Sequence, residues 1–354
     1  MAKLLMKGNE AIGEAAVLAG CKYFFGYPIT PQSELPHYMV KRLPEVGGVF
    51  LQAESEVAAI NMVFGAGGAG ARVMTSSSSP GISLKQEGIS YLIGAEVPAV
   101  IVNIMRGGPG LGNIQPSQAD YFQATKAPGH GDGRMIVLAP SSVQEIVDLV
   151  ILAFDLADQY RNPVMVLGDG VLGQMMEPVE IDDNYQPRLP EKPWAATGKR
   201  GRASNNIINS LHIVDKDNEE FNRHLQKKYA EIAAREVRYE EYCTDDAEII
   251  LVAYGTSARI CKGAVDLVRE EGIKAGLIRP ITLWPFPAEI INRRAEQAKA
   301  FLSVEMSAGQ MVEDVKLAVN GKKPVYFYGR MGGILPMLDE IVAGIKGLAE
   351  GGAL

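Results

Sequence analysis

LQAESEVAAINMVFGAGGAGARVMTSSSSPG, Leu51 to Gly81, is the stretch on which the reading of the fold turns. After Glu56, the apolar residues Val57, Ile60, Val63 and Phe64 recur as one face of a helix. The glycine-rich GAGGAGA then predicts a tight turn, RVMT a short buried strand, and the four serines with Pro80 and Gly81 a polar loop opening a new helix. That order is the grammar of an α/β domain with its ligands at strand ends. Glu56 falls in the first turn of its helix among small and apolar neighbours. A carboxylate there is either a dipole partner on a wet face or a group aimed into a site.

Upstream, Ile12, Ala15, Ala16 and Ala19 give a helix from Gly8 to Gly20, and KYFFGYP reads as a buried strand. In YPITP, Tyr27 to Pro31, two prolines bracket Ile29 and Thr30 and force an extended turn that leaves the Thr30 hydroxyl at the strand end. Without further information this is a rigid turn in which Thr30 or Ser33 caps a helix from Gln32. Downstream, Pro80 to Ile93 predicts a helix, and the unbroken apolar run Val97 to Met105 a buried strand that ends at Arg106 and GGPGLGNIQPSQAD. An arginine at that point either clamps a ligand carboxylate or pairs with a surface acid. The glycines after it do not match a dinucleotide fingerprint.

MIVLAP, a long amphipathic helix and NPVMVLGDG complete the first α/β pattern, and prolines and acids crowd Glu177 to Pro193. Ala203 to Asp246 is polar and helix-prone and reads as a connecting segment rather than core. Strands and helices alternate again from Ala247. The expected division is therefore residues 1–185, a linker over 186–246, and a second α/β unit over 247–354.

A formal net charge of −7 with no basic run argues against nucleic acid or an anionic membrane as partner. The three cysteines, Cys21, Cys243 and Cys261, lie in no metal-ligand spacing, so neither a zinc site nor an iron–sulfur cluster held by this chain alone is expected. The N-terminal apolar run is too short for a signal peptide and no stretch reaches membrane-spanning length, which leads us to expect a soluble, cytoplasmic protein. His212 and His224 read as surface residues, and His130 in GHGDGR as a weaker site candidate.

Taken together, YPITP, the ESEVAA helix, the serine loop ending in Pro-Gly, the strand ending Met105-Arg106-Gly107-Gly108-Pro109, and VAYG with GLIRPITLWPFP resemble the alpha subunit of 2-oxoacid:ferredoxin oxidoreductases. The likeness covers nearly the whole chain and is most specific in the first 140 residues. It implies a thiamine-diphosphate pyrimidine-binding domain, a parallel sheet with helices on both faces, followed by a transketolase C-terminal-like α/β domain. By this resemblance Glu56, nine residues before Gly65, is the carboxyl that hydrogen-bonds the pyrimidine N1′ and so activates the coenzyme. Ser79 and Gly81 match cofactor-binding positions. Thr30 and Arg106 match positions that meet the substrate carbonyl and the 2-oxo carboxylate.

Two absences carry equal weight. Gly168-Asp169-Gly170 imitates the magnesium motif of diphosphate-binding domains, but Asn205 lies too far along and across a proline-rich segment, so a structural turn is expected there and no metal site. The resemblance therefore implies that a beta subunit supplies the diphosphate and Mg2+ site and an iron–sulfur cluster. Gamma and ferredoxin-like delta subunits, ferredoxin and coenzyme A complete the implied system. The loop RGGPGLGNIQPSQAD looks most like that of enzymes oxidising branched-chain 2-oxoacids such as 3-methyl-2-oxobutanoate. A 2-oxoglutarate enzyme is the alternative, with Lys126 or Arg134 as the second basic group. A thiamine enzyme that does not use ferredoxin and a non-catalytic scaffold of the same fold are the remaining readings.

Overall fold

Long apolar runs become strands covered on both faces, and the helices between them carry one polar side each. In a computed structural model that describes residues 3–182 and 184–352, the first part of the chain runs β1 (Lys3–Lys7), α1 (Gly8–Leu18), β2 (Tyr23–Gly26), α2 (Glu34–Glu45), β3 (Val49–Gln52), α3 (Glu56–Gly68), β4 (Val73–Ser77), α4 (Ser79–Gly94), β5 (Val100–Met105), α5 (Tyr121–Thr125), β6 (Ile136–Leu138), α6 (Val143–Tyr160), β7 (Val164–Asp169), α7 (Gly170–Gln174) and β8 (Met176–Glu180). The remainder comprises α8 (Asp215–Arg235), β9 (Tyr239–Tyr242), β10 (Ile249–Val252), α9 (Gly255–Glu270), β11 (Ala275–Pro280), β12 (Thr282–Trp284), α10 (Ala288–Arg294), β13 (Ala300–Glu305), α11 (Met311–Val319), β14 (Val325–Gly329) and α12 (Leu338–Ala349).

A seven-stranded sheet has the order β12-β6-β7-β5-β4-β2-β3, and a five-stranded sheet the order β14-β13-β10-β11-β9. Both are parallel apart from one antiparallel edge strand each, β12 and β9. In the larger sheet the chain steps from β2 outward to β3 and then returns across β2 to β4, so the strand order reverses there. Open α/β sheets bind ligands in the crevice above such a reversal, at the carboxyl ends of the strands. The β2–β4 ladder joins only Tyr23 to Val73 and Phe24 to Met74, after which the two strands part.

Several elements differ from the sequence reading for local reasons. GAGGAGA does not end α3: the helix runs on to Gly68, and the turn falls at Gly70, whose φ of 92° suits a glycine. Val57 is 45% exposed, and the buried side of α3 is Glu56, Ala59, Ile60, Val63 and Gly67. Ser76 and Ser77 belong to β4 and are buried with it, not part of a polar loop. Helix α2 begins at Glu34 rather than Gln32, with no side-chain cap from Ser33.

The connecting segment also contributes to the core. Leu225, Tyr229 and Ile232 of α8 are buried in the main cluster, each such side chain contributing about 1.5–3 kcal/mol. Strand β9 completes the smaller sheet, and β12, from the second α/β pattern, pairs with β6 in the larger one. Gln118 links the two sheets' loops: its Nε2 donates to Tyr254 O (2.8 Å), and its Oε1 accepts from Ser257 Oγ (2.8 Å) and Met306 N (3.0 Å). Among the described residues no helix is long and apolar enough to cross a membrane.

Candidate active site

The segments after β2, β3, β4 and β5 converge on the crevice where the strand order reverses. Ser55 caps α3, its Oγ accepting from Ala58 N at 3.2 Å, and this fixes Glu56 as the first helical residue. Glu56 is only 6% exposed. Its carboxylate lies over the first turn of α4, where a Cβ on Gly81 would stand 2.8 Å from Glu56 Oε1 and 2.0 Å from Ser77 Oγ. Position 81 therefore has no room for a side chain. Among the described residues the Ser77 and Ser78 hydroxyls, buried there, have no hydrogen-bond partner.

Arg106 follows the last residue of β5 and is 7% exposed. Its Nη1 donates to Thr30 O (2.9 Å) and its Nη2 to Leu111 O (3.2 Å), while its buried Nε has no partner among the described residues. The guanidinium is thus held from behind by two neutral carbonyls and keeps its positive charge uncompensated by them. The backbone N–H of Arg106 donates to Ser79 Oγ (3.0 Å), and Ser79 Oγ donates to Asp120 Oδ2 (2.6 Å). Asn103 Nδ2 also donates to Asp120 Oδ2, at 2.9 Å. Burial pushes the Asp120 carboxyl above its ordinary range, against the opposing effect of the Ser79 and Asn103 hydrogen bonds.

Glu56 touches Gly81, two residues along α4 from Ser79; Ser79 binds Arg106; Arg106 binds Thr30. All five residues singled out from the sequence therefore meet in one crevice. Thr30 enters through its backbone carbonyl, and its side chain is exposed.

The other candidates are engaged in contacts of their own. Asp169 caps α7, its Oδ1 accepting from Val171 N (2.9 Å), Leu172 N (3.2 Å) and Thr256 Oγ1 (2.9 Å), so it is a structural turn residue. Lys126 pairs with Asp314, and Arg134 donates to Thr125 O at 3.1 Å. His224 pairs with Glu96 at 3.0 Å, His212 stacks on Phe221, and the exposed His130 packs its ring against Tyr91. Among the described residues no three His, Cys, Asp or Glu side chains gather as a metal-ligand group.

Two residues of the site went unread in the sequence. Asp120 sits in a loop whose folding back onto Ser79 has no sequence signal. Lys85 is fully buried and does have one: it shares a face of α4 with Gly81 and Gly88, a face with no solvent side.

The two-unit α/β architecture is shared with a split-gene transketolase in its inactive β4 tetramer, which superposes with a TM-score of 0.60 over 96% of this chain and 97% of that one, at 16% identity. The chain belongs to the 2-oxoacid:ferredoxin oxidoreductases. Residues 14–242 match the family described as pyruvate flavodoxin/ferredoxin oxidoreductase, thiamine diphosphate-binding, and residues 247–341 match pyruvate:ferredoxin oxidoreductase core domain II. It is 56% identical over 349 residues, 99% of each chain, to the ketoisovalerate oxidoreductase subunit VorB of Methanothermobacter marburgensis. It is 37% identical to the 2-oxoglutarate synthase subunit KorA of Methanothermobacter thermautotrophicus, over 95% of this chain and 96% of that one. The 2-oxoglutarate:ferredoxin oxidoreductase of Magnetococcus marinus, solved with 2-oxoglutarate, coenzyme A and succinyl-CoA bound, gives a TM-score of 0.83 at 26% identity, over 97% of this chain and 65% of that one.

Proposed function

We propose that this chain is the pyrimidine-binding subunit of a cytoplasmic complex that oxidatively decarboxylates 3-methyl-2-oxobutanoate to the acyl-CoA and carbon dioxide and passes the electrons to ferredoxin. The higher identity to a ketoisovalerate subunit (56%) than to a 2-oxoglutarate subunit (37%) favours the branched-chain substrate. The observation that carries the catalytic reading is the contact of the Glu56 carboxylate with Gly81.

The crevice suits an aminopyrimidine ring: a buried carboxylate, a helix turn with no side chain in the way, and two unpartnered hydroxyls. Thiamine diphosphate, when bound, would supply the nucleophilic carbon and the electron sink for the decarboxylation. Glu56 holds a proton in common with N1′ of the ring. Ser79 and Gly81 shape the wall beside it. Arg106 orients the substrate carboxylate through its guanidinium charge, and Thr30 borders the substrate carbonyl. An arginine that bound the departing carboxylate too tightly would stabilise the ground state as well, so its role is orientation.

Residues 1–185 act in this reading as the pyrimidine-binding unit, 186–246 as the connecting segment and 247–354 as the transketolase C-terminal-like unit. A beta subunit brings the diphosphate and Mg2+ site and an iron–sulfur cluster, with gamma and ferredoxin-like delta subunits completing the electron path. The test is the assembled complex with coenzyme A and a viologen dye, assayed on 3-methyl-2-oxobutanoate, 2-oxoglutarate and pyruvate. The highest kcat/KM is expected on the branched-chain acid; preference for 2-oxoglutarate selects the alternative substrate, and no turnover of any of the three selects a scaffold.

A further inference from the structure

Helices α3 and α4 meet through two glycines. A Cβ on Gly81 would stand 2.8 Å from Glu56 Oε1, and one on Gly88 would stand 2.4 Å from Ile60 Cγ2. The strip of α4 through positions 81 and 88 therefore lies along the strip of α3 through positions 56 and 60. Lys85, four residues after Gly81 and three before Gly88, is on that strip between them. It is fully buried. Its Nζ reaches β4, donating to Thr75 Oγ1 at 2.7 Å and Ser76 O at 3.0 Å.

These two residues of β4 lie just beyond the Phe24–Met74 pair, the last that joins β2 to β4. Gln32 reaches the same stretch, its Oε1 accepting from Ser76 Oγ at 2.5 Å. An ammonium has three protons to place, and Thr75 and Ser76, both neutral, take two. A lysine removed from water with only neutral partners loses its proton readily. Burial does draw Lys85 down to about 7, and the charge of Glu56 acts the other way, holding the proton on.

We propose that Lys85 is a positioning residue for Glu56: a buried countercharge, anchored to β4, that keeps the neighbouring carboxylate seated against Gly81. The proposal rests on the assignment of Glu56 to the cofactor. The other elements packed here present neutral groups, Thr75, Ser76 and Ser77 from β4, Asn103 from β5 and Gln32 from the segment before α2. The remaining charges, Asp120 and Arg106, are tied to Ser79 at the head of α4.

The full chain without cofactor provides the test, through its unfolding free energy as a function of pH. A folded-state lysine drawn below its unfolded value binds its proton more weakly than the unfolded chain does. Its contribution therefore makes stability rise with pH from about 7 toward the ordinary lysine range. In Glu56→Gln the onset of that rise is expected to move down by about one pH unit, the effect of removing a close opposite charge. Lys85→Met is expected to abolish the rise, and adding Glu56→Gln to it to change the profile no further. An onset unmoved in Glu56→Gln overturns the proposal and leaves Lys85 held by Thr75 and Ser76 alone. This comparison keeps Lys85 in place, so it decides the matter even where Lys85→Met does not fold. Failure of the Glu56 role shows separately, as a Glu56→Gln complex that still turns over.

Discussion

The Glu56 carboxylate and the α-carbon of Gly81 are in such close contact that a single methyl group at position 81 would stand 2.8 Å from Glu56 Oε1. This contact joins the helix that presents the acid to the helix that forms the floor of the crevice. It explains why a glycine opens α4 directly after a proline.

Gly81→Ala is the direct probe of that contact. The added Cβ would also lie 2.0 Å from Ser77 Oγ in a buried strand, so one of the two neighbours must shift. Overpacking of this kind costs about 1–3 kcal/mol, which a chain of this size tolerates. Thermal unfolding is expected to remain cooperative at a reduced Tm, while the assembled complex loses decarboxylation.

Glu56→Gln keeps the shape of the side chain and removes its exchangeable carboxyl proton. Subunit assembly, followed by size-exclusion chromatography, is expected to be unaffected, and decarboxylation to fall by about two to four orders of magnitude, the usual contribution of positioned acid–base catalysis. Near-normal turnover would falsify the role given to Glu56.

Arg106→Lys tests the fork geometry. A lysine retains the charge but cannot hold Thr30 O and Leu111 O together with the same planar fork. Loss of oriented binding is expected as a rise in KM for the 2-oxoacid with a smaller fall in kcat. Cleavage within the 107–115 loop, GGPGLGNIQ, by a broad-specificity protease such as subtilisin is expected to accelerate as its tether weakens.

Asp169→Asn separates a turn residue from a metal ligand. Burial raises the Asp169 carboxyl above its ordinary range, although hydrogen bonds from Thr256 and from the Leu172 and Val171 amides act in the opposite sense. A raised folded-state value means that the folded chain binds more protons than the unfolded one between the two values, so this group lowers stability as pH rises through that window. Asparagine keeps the acceptor oxygen for the amides and Thr256 and removes the penalty. The variant is expected to be at least as stable as wild type at pH 7, to lose this part of the pH dependence, and to retain activity in the complex. Inactivity with normal stability would restore Asp169 as a ligand.

The sequence by itself determined the class of fold and the residues to look at. Largely apolar runs such as VIVNIM of β5 and VMVLGD of β7 admit little but buried parallel strands, and prolines and glycines punctuate what lies between them. Because parallel strands put their carboxyl ends on one side, Thr30, Ser79 and Arg106 were legible as groups on a common edge from chain order alone. Tertiary structure alone decided which faces were wet and which partners met. Val57 was misread because the apolar stripe of α3 was assumed to point at the core, whereas the close approach of Gly81 and Gly88 turns Glu56 and Ile60 there instead. The core role of Ile232 and the pairing of β12 with β6 depend on segments separated by more than a hundred residues, and no local pattern encodes such pairings. Lys85 and Asp120 follow the same logic: periodicity can place a charge on a helix face or in a loop, but only packing determines whether that position is closed to water, and that closure governs what the charge does.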